Sequence, residues 1–212
     1  MKKFDSSVIM LVVANCVPLA GVLFFGWSLF SLLIGFWLET GIIGIFVLLK
    51  SIYLYKLTSK TACLINSFVV MSACAGFMFG HFIVIMALFS VVPGGDGWTG
   101  LNLFSQSYMQ LITMAITLFI SHGYSFFFNF ISRDERSSLV RLVDSEGADS
   151  RKVGNLLVGD VFKRIVLLQF ILIFGGVVMA LTRTTIYLSV IFIITKMVVD
   201  LILHIKRHRI SS

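Results

Sequence analysis

Six long apolar stretches recur along the chain, and short polar or charged segments separate them. A helix needs about 20 apolar residues to cross about 30 Å of hydrocarbon, and each stretch approaches or exceeds that length. The pattern predicts an all-α polytopic integral membrane protein, in which residues 1–212 form a single domain built as a six-helix transmembrane bundle. The predicted spans are residues 8–26, 29–50, 62–91, 109–131, 165–181 and 186–205.

The first two spans are separated only by Gly26, Trp27 and Ser28, which predicts a tight turn between antiparallel helices. The polar start of the chain followed by an apolar run is superficially similar to a signal peptide. No small-x-small cleavage site follows it, so the sequence predicts an uncleaved first span.

Two loops between the spans have appreciable length. The outer one, residues 92–108, is rich in glycine, which favours turns. The inner one, residues 132–164, is highly charged and ends in apolar residues at helical spacing, among them Leu157, Val161 and Ile165. This spacing predicts one amphipathic interfacial helix near 151–164, lying on the cytoplasmic face before the fifth span.

The distribution of basic residues predicts the orientation of the bundle. With the N-terminus inside, the inner segments contain 15 of the 17 Lys and Arg residues; of the other two, Arg183 lies in an outer loop and Lys196 lies within a span. Cytoplasmic loops carry such an excess of Lys and Arg. The sequence therefore predicts an inner-membrane protein with both termini cytoplasmic. The inner basic residues are Lys2, Lys3, Lys50, Lys56, Lys60, Arg133, Arg136, Arg141, Arg151, Lys152, Lys163, Arg164, Lys206, Arg207 and Arg209.

The composition excludes several classes of protein. Hydrophobic residues make up 58% of the chain and charged residues only 13%, which excludes a soluble globular domain and a disordered chain. Its three cysteines lie in apolar stretches without CxxC spacing, so no disulfide framework is expected.

The net charge of +7 bears on the expected partners. No basic stretch is interleaved with exposed aromatic residues, so nucleic acid is not an expected partner. The expected partners are the lipid bilayer and anionic lipid head groups at the cytoplasmic face. A homo-oligomer or a partner protein in a membrane complex stays open.

Ionisable residues inside the predicted spans are the main candidates for function. Each is costly in hydrocarbon, by roughly 2.5–3.5 kcal/mol on insertion scales, and so indicates a functional or paired group. Apart from Lys50, the last residue of span two, the chain has six of them: Glu39, His81, His122, Lys196, Asp200 and His204.

Helical spacing gathers most of these residues into three polar stripes. Because residues three and four apart share a helix face, spans two, four and six, with span three, are expected to line a polar interior. Glu39, His122, Lys196 and Asp200 are expected within hydrogen-bond or one-water reach. The stripes are Ser31, Gly35 and Glu39; His122, Ser125 and Asn129; and Lys196, Asp200 and His204.

One interpretation of this set is a metal centre. Imidazole and carboxylate groups together suit Zn, Fe, Cu or Mn. The candidate ligands are Glu39, His81, His122, Asp200 and His204, and Asp200 and His204 form an i, i+4 pair. In a metalloenzyme acting on a lipid or other apolar substrate, a divalent metal would lower the pKa of a bound water to near 7. Catalytic candidates are Glu39, His122, Lys196 and Asp200, with Lys196 tuning the local charge.

Two other classes of function stay open at this point. The same residues suit a proton-coupled transporter or channel, in which Glu39 would exchange protons and Lys196 would form a charge pair that opens on protonation. They also suit a non-catalytic membrane subunit of a larger complex, in which polar pairs only hold the helices in register. The chain has no GxSxG motif and no GK[ST] after its glycines, so the sequence does not indicate a serine hydrolase or a phosphate loop.

Several short motifs carry a resemblance to a known group of proteins. They are Trp37-Leu38-Glu39 with Ile43-Gly44, Ser121-His122-Gly123 with Ser125 and Asn129, and the spaced Lys196, Asp200 and His204. With these motifs the chain resembles an uncharacterised prokaryotic family of small multi-pass membrane proteins. The family pattern has Asn after Trp-Leu-Glu, where this chain has Thr40. The resemblance supports the choice of residues and implies no activity.

Overall fold

The computed structural model describes residues 6–90, 99–131, 135–144, 157–159, 161–171, 173–174 and 190–198. Over these residues the secondary structure is helical, without strands. Shorter helical pieces follow at 157–159, 161–171, 173–174 and 190–198. The named elements are α1 (Ser6–Phe25), α2 (Leu29–Thr58), α3 (Thr61–Ser90), α4 (Thr99–Gln106), α5 (Tyr108–Ser125), a π-helix (Phe126–Ile131) and α6 (Glu135–Asp144).

Within the described residues, three helical stretches are long and apolar enough to cross a membrane. They are Leu29–Thr58, Thr61–Ser90 and Tyr108–Phe128, and they coincide with predicted spans two, three and four. The helix α1 matches predicted span one, although its apolar stretch Cys16–Phe25 is shorter. Predicted spans five and six are described only at 165–171, 173–174 and 190–198.

A tight turn joins α1 to α2, as the sequence predicts. Gly26 has a φ of 63°, a left-handed conformation that glycine adopts without steric cost. The Trp27 amide donates back to the Gly21 carbonyl at 3.0 Å and closes the end of α1. Ser28 then caps α2 by accepting a hydrogen bond from the Ser31 amide at 3.2 Å. Beyond this turn α1 packs against α5 rather than alongside α2, so the predicted antiparallel packing of the first two helices is not formed.

The helix α2 is the centre of the described structure. It packs against α3, α5 and α6, and residues along nearly all of its length are buried. An edge-to-face pair of Phe30 and Phe89, with ring centroids 5.2 Å apart, joins the start of α2 to the end of α3. Farther along, the Trp37 indole donates to the Met78 carbonyl at 2.7 Å. These contacts fix the antiparallel register of α2 and α3.

Basic residues tie α6 to the end of α2. The Lys60 ammonium donates to the Val143 carbonyl at 2.6 Å, in the last turn of α6, where carbonyl groups have no partner within the helix. Arg136 donates to the Tyr53 hydroxyl at 3.4 Å. Two of the residues that predict the inner side of the membrane therefore also hold this end of the fold together.

The structure departs from the predicted loops in three places. The predicted inner loop 132–164 contains the helix α6, and the predicted outer loop 92–108 contains α4. The helix α2 continues to Thr58, eight residues beyond the predicted end of span two. Short amphipathic or charged helices lack the long apolar run by which the spans were recognised, so the sequence pattern did not separate them from loops.

The predicted interfacial helix near 151–164 also differs in part. Residues 151–156 and 160 lie outside the described residues, while 161–171 form one helix that runs through the predicted boundary with span five. Its apolar residues Val161 and Ile165, with Leu157 before them, belong to the same buried core as Leu139 and Val143 of α6. The apolar face of this segment is therefore covered by protein.

Candidate functional site

The candidate site is centred on Glu39, in the middle of the most buried helix. Glu39 follows Ser31 and Gly35 on one face of α2, and all three residues are buried. The absence of a side chain at Gly35 lets Met114 of α5 pack directly against α2. The Glu39 side chain is only 4% exposed, so its carboxylate depends on protein partners.

Three basic side chains surround the Glu39 carboxylate. The Lys196 Nζ atom lies 2.8 Å from Oε2. The Arg164 guanidinium lies 3.3 Å from the other oxygen, Oε1, and the His122 Nε2 atom lies 3.5 Å from the same oxygen. These partners come from α5 and from the helical pieces 161–171 and 190–198, so one carboxylate connects four parts of the fold.

The end of α5 positions His122. After Ser125 the helix widens into the π-helix. This form is rare in proteins overall, but where it occurs it is often at a functional site. Phe126, its first residue, packs on Phe46 of α2 with ring centroids 5.6 Å apart, and it stacks on Phe130 at 5.5 Å. Lys50 of α2 lies over the Phe130 ring at 5.0 Å. These aromatic contacts fix α5 against α2 on the C-terminal side of His122.

Neighbouring residues of α2 shape the place where Lys196 reaches Glu39. The Lys196 ammonium lies 5.4 Å from the centroid of the Phe36 ring, one helical turn before Glu39. The Thr40 hydroxyl donates to the Phe36 carbonyl at 3.0 Å and is satisfied within its own helix. Thr40 is the position at which the expected family pattern has Asn, and this contact gives its hydroxyl a local structural role.

Two small crevices flank the ion pair, each large enough for water rather than for an organic ligand. The first lies toward α1 and α5, and its walls include Pro18, Thr117 and Leu118. The second lies toward the piece 161–171, and its walls include Thr40, Arg164 and Leu168. Glu39 and Lys196 line both crevices, so the ion pair separates them.

Several basic groups converge on one carboxylate at this site. Among the described residues, the carboxylate of Glu39 faces the two cations Lys196 and Arg164, and His122 adds a third positive charge when protonated. A buried carboxylate needs such partners, because taking an ion out of water costs several kcal/mol. Among the described residues, one carboxylate is therefore shared by several basic side chains.

The described residues hold no group of three or more His, Cys, Asp and Glu side chains that could bind a metal. Two of the candidate ligands, Glu39 and His122, are adjacent, but Lys196 and Arg164 also contact the carboxylate oxygens. Asp200 and His204 lie outside the described residues. A metal centre that includes them stays a prediction.

His81 is buried on α3. Its Nδ1 lies 2.7 Å from the Phe77 carbonyl, one turn earlier in the same helix. Within the part of the chain that the structure describes, its Nε2 has no hydrogen-bond partner and it forms no metal-binding group with Glu39 and His122.

The structure brings together Glu39, His122 and Lys196, as the three predicted stripes require. Asp200, the fourth predicted member, and the side chain of Asn129 lie outside the described part of the structure. Arg164 was missed, because it was counted among the basic residues of the inner loop. A signal for it was present: Arg164 lies three residues after Val161 and four before Leu168, both buried on the inward face of the same helix.

Comparison with known proteins gives a family but no activity. The chain belongs to a family of unknown function (DUF6498), whose model matches residues 2–211. The expected resemblance to an uncharacterised family is thereby confirmed. No curated protein matches the chain, and no solved structure matches it.

Proposed function

We propose that this chain is a six-span protein of the cytoplasmic membrane, with both termini cytoplasmic, that acts as a proton-coupled transporter or channel. The single observation that carries the proposal is the contact of one buried carboxylate, Glu39, with basic side chains from three other parts of the fold. Carboxylates inside membrane bundles mark proton pathways and substrate sites.

The proposed coupling follows from the charge that protonation removes. When Glu39 takes up a proton, Lys196 and Arg164 lose the negative charge that both of them contact. The helical pieces that carry them are then held less tightly against α2. One proton thus biases the positions of several helices at once, which is the requirement for a coupled conformational change.

A direct test is proton flux into liposomes that contain the purified protein, driven by a potassium diffusion potential and followed with a pH-sensitive dye. We expect flux with the natural chain and its loss with Glu39→Gln, which keeps the shape of the side chain and removes its proton exchange. Lys163→Met is the matched control, since it removes an exposed cation next to Arg164. Absence of flux with the natural chain would overturn the proposal.

The orientation is tested separately by labelling single cysteines in a chain without the three native ones. Ser59→Cys, in the exposed link between α2 and α3, is expected to react only from the cytoplasmic side. Asp96→Cys, in the predicted outer loop, is expected to react only from the other side. Labelling of Ser59→Cys from outside would contradict the proposed orientation.

A second candidate is a membrane-embedded metalloprotein or metalloenzyme, favoured by the spacing of Asp200 and His204 after Lys196. Lys196 reaches Glu39, and residues four apart share a helix face. Elemental analysis of the purified protein tests this candidate. A near-stoichiometric divalent metal that falls when Asp200→Ala and His204→Ala are combined supports it. Metal-free protein with an intact fold removes it.

Failure of both tests would leave the third class, a non-catalytic subunit of a membrane complex. In that class the ion pairs at Glu39 only fix the positions of the helices. Anionic lipid head groups are the expected partners of the exposed basic residues, such as Lys56 and Arg141, at the end of the fold where α6 joins α2.

A further inference from the structure

We propose that protons reach Glu39 through a water molecule in the crevice between α1 and α5. In this proposal, the water is positioned by Thr117 and by the backbone carbonyl of Ala14, which Pro18 leaves without a helical partner. The inference deepens the proposed function and rests on it in one respect, that Glu39 exchanges a proton. It names the side of the site from which the proton arrives and the residues that prepare its path.

The first argument is the position of the crevice. The Glu39 side chain is only 4% exposed, so a proton has to pass through a space inside the protein to reach it. The crevice toward α1 and α5 is large enough for water, and Glu39 lines it together with Pro18 and Thr117. A water in this crevice therefore lies next to the group that exchanges the proton.

The second argument is the proline inside α1. Pro18 has no amide hydrogen, so the carbonyl of Ala14, four residues earlier, receives no helical hydrogen bond. The proline ring crowds this carbonyl in a helix, so the two lie on one helix face, and Pro18 is buried in the wall of the crevice. In a membrane helix, neighbouring helices, hydroxyl groups or ordered waters satisfy such a freed carbonyl. Pro18 thus places an acceptor beside the crevice.

The third argument is the direction of the Thr117 hydroxyl. Its single proton is donated to the Thr113 carbonyl, one turn earlier in α5, at 2.8 Å. Thr117 therefore cannot donate to the Ala14 carbonyl, but its oxygen can accept a hydrogen bond. A water in the crevice supplies the donor for both oxygens, which a direct contact between them cannot do.

The proposed proton transfer follows from this arrangement. A water has two protons to donate, one to the Ala14 carbonyl and one to the Thr117 oxygen. An excess proton turns the water into hydronium, whose third proton has the Glu39 carboxylate as an acceptor in the same crevice. That proton moves to a carboxylate oxygen, and a neutral water remains. Thr117 and Pro18 are therefore positioning residues that act through the water.

The first measurement is radiolytic footprinting of the purified full-length protein in nanodiscs. A short X-ray pulse produces hydroxyl radicals from bound water, and mass spectrometry then locates the oxidised side chains. Met114 and Met78 are both buried, and of these two Met114 lines the crevice. We expect Met114 to be oxidised several times faster than Met78. Equally slow oxidation of the two overturns the inference, because no water is then held beside Met114.

The second measurement is proton flux in liposomes. We expect Thr117→Val, which keeps the shape without the hydroxyl, to lower flux about fivefold, the factor that one neutral hydrogen bond is worth. Thr117→Ser keeps the hydroxyl and should retain the flux. Pro18→Ala gives the Ala14 carbonyl its helical partner back, and we expect a similar fall. Thr113→Val is the matched control and should change nothing, since the Thr113 hydroxyl also bonds within α5 but lies outside the crevice.

The two measurements separate this inference from the transport proposal. Flux in the natural chain that Thr117→Val and Pro18→Ala leave unchanged overturns the relay and leaves Glu39 as the exchanging group. Absence of flux in the natural chain overturns transport and the relay with it, and the footprint of Met114 then decides whether the water site exists. Thr117→Val should also slow the oxidation of Met114 and leave that of Met78 unchanged. Thermal melting of each variant, with the rescue by Thr117→Ser, shows that a loss of flux is not a loss of fold.

Discussion

The helices α2 and α3 differ sharply in burial although they are nearly alike in sequence character. Each has 30 residues, and each is long and apolar enough to cross a membrane. Yet 67% of the most apolar stretch of α2 is buried, against 17% for α3. The large apolar side chains of α3, such as Phe68, Phe77 and Phe79, are exposed and in a membrane would face lipid.

The difference shows where a charge can be placed. Two polar side chains on α3 find partners only within their own helix: Ser72 donates to the Phe68 carbonyl, and the His81 ring contacts the Phe77 carbonyl. The Glu39 carboxylate on α2 instead contacts three other parts of the fold. A charge on a lipid-facing helix would lack such partners. The central helix is therefore the place where protein partners can offset the cost of removing a charge from water.

The largest expected effect is at Glu39. Glu39→Leu leaves the buried Lys196 and the partly buried Arg164 without the carboxylate they contact, and we expect a loss of about 3–5 kcal/mol in the free energy of unfolding. SDS titration in mixed micelles measures this loss. Adding Lys196→Leu should restore part of it, because one of the two cations that contact the Glu39 carboxylate is then removed as well. If Glu39→Leu left the free energy of unfolding unchanged, the ion pairs would not contribute to the stability of the fold.

Truncation of matched phenylalanines tests the burial difference itself. Phe30 on α2 is fully buried and packs on Phe89, while Phe79 on α3 is 64% exposed. We expect Phe30→Ala to cost about 3 kcal/mol through the cavity it leaves, and Phe79→Ala to cost less than about 1 kcal/mol. The same micelle titration compares the two. Equal losses would mean that another copy of the chain or a partner covers the exposed face of α3.

The contact between the two helices has a smaller expected effect. Trp37→Phe keeps an aromatic ring beside Phe82 but removes the hydrogen bond to the Met78 carbonyl. Hydrogen bonds between membrane helices average about 0.6 kcal/mol, and we expect a loss of this size. Trp37→Leu, which also removes the ring contact, should cost more. A loss above about 2 kcal/mol for Trp37→Phe would contradict this interpretation.

The smallest expected effect is at His81. Its Nε2 is buried without a partner in the described part of the chain, so an apolar replacement removes an unsatisfied group together with one local contact. We therefore expect His81→Leu to change the free energy of unfolding by less than about 1 kcal/mol. Elemental analysis of the same variant sharpens the result. A fall in bound metal in this variant would indicate that His81 is a metal ligand and would support the predicted metal centre.

The sequence determined much of the helical plan and the central group of the site. Apolar runs of membrane-spanning length predicted α2, α3 and α5 because few other structures tolerate such runs. Glu39, His122 and Lys196 were recognisable because an ionisable residue is conspicuous in an apolar stretch, and helical spacing predicted that they face one another. Gly26 and Ser28 marked the turn between α1 and α2 by their local backbone chemistry.

Only the tertiary structure decided which of these helices is central and which cation completes the site. Hydropathy is the same for a helix surrounded by protein and for one surrounded by lipid, so it could not separate α2 from α3. Arg164 follows a charged segment in the sequence, yet its helix packs so that its long side chain reaches Glu39. Because contacts between distant segments depend on packing rather than on local periodicity, this ion pair becomes visible only once the helices are assembled.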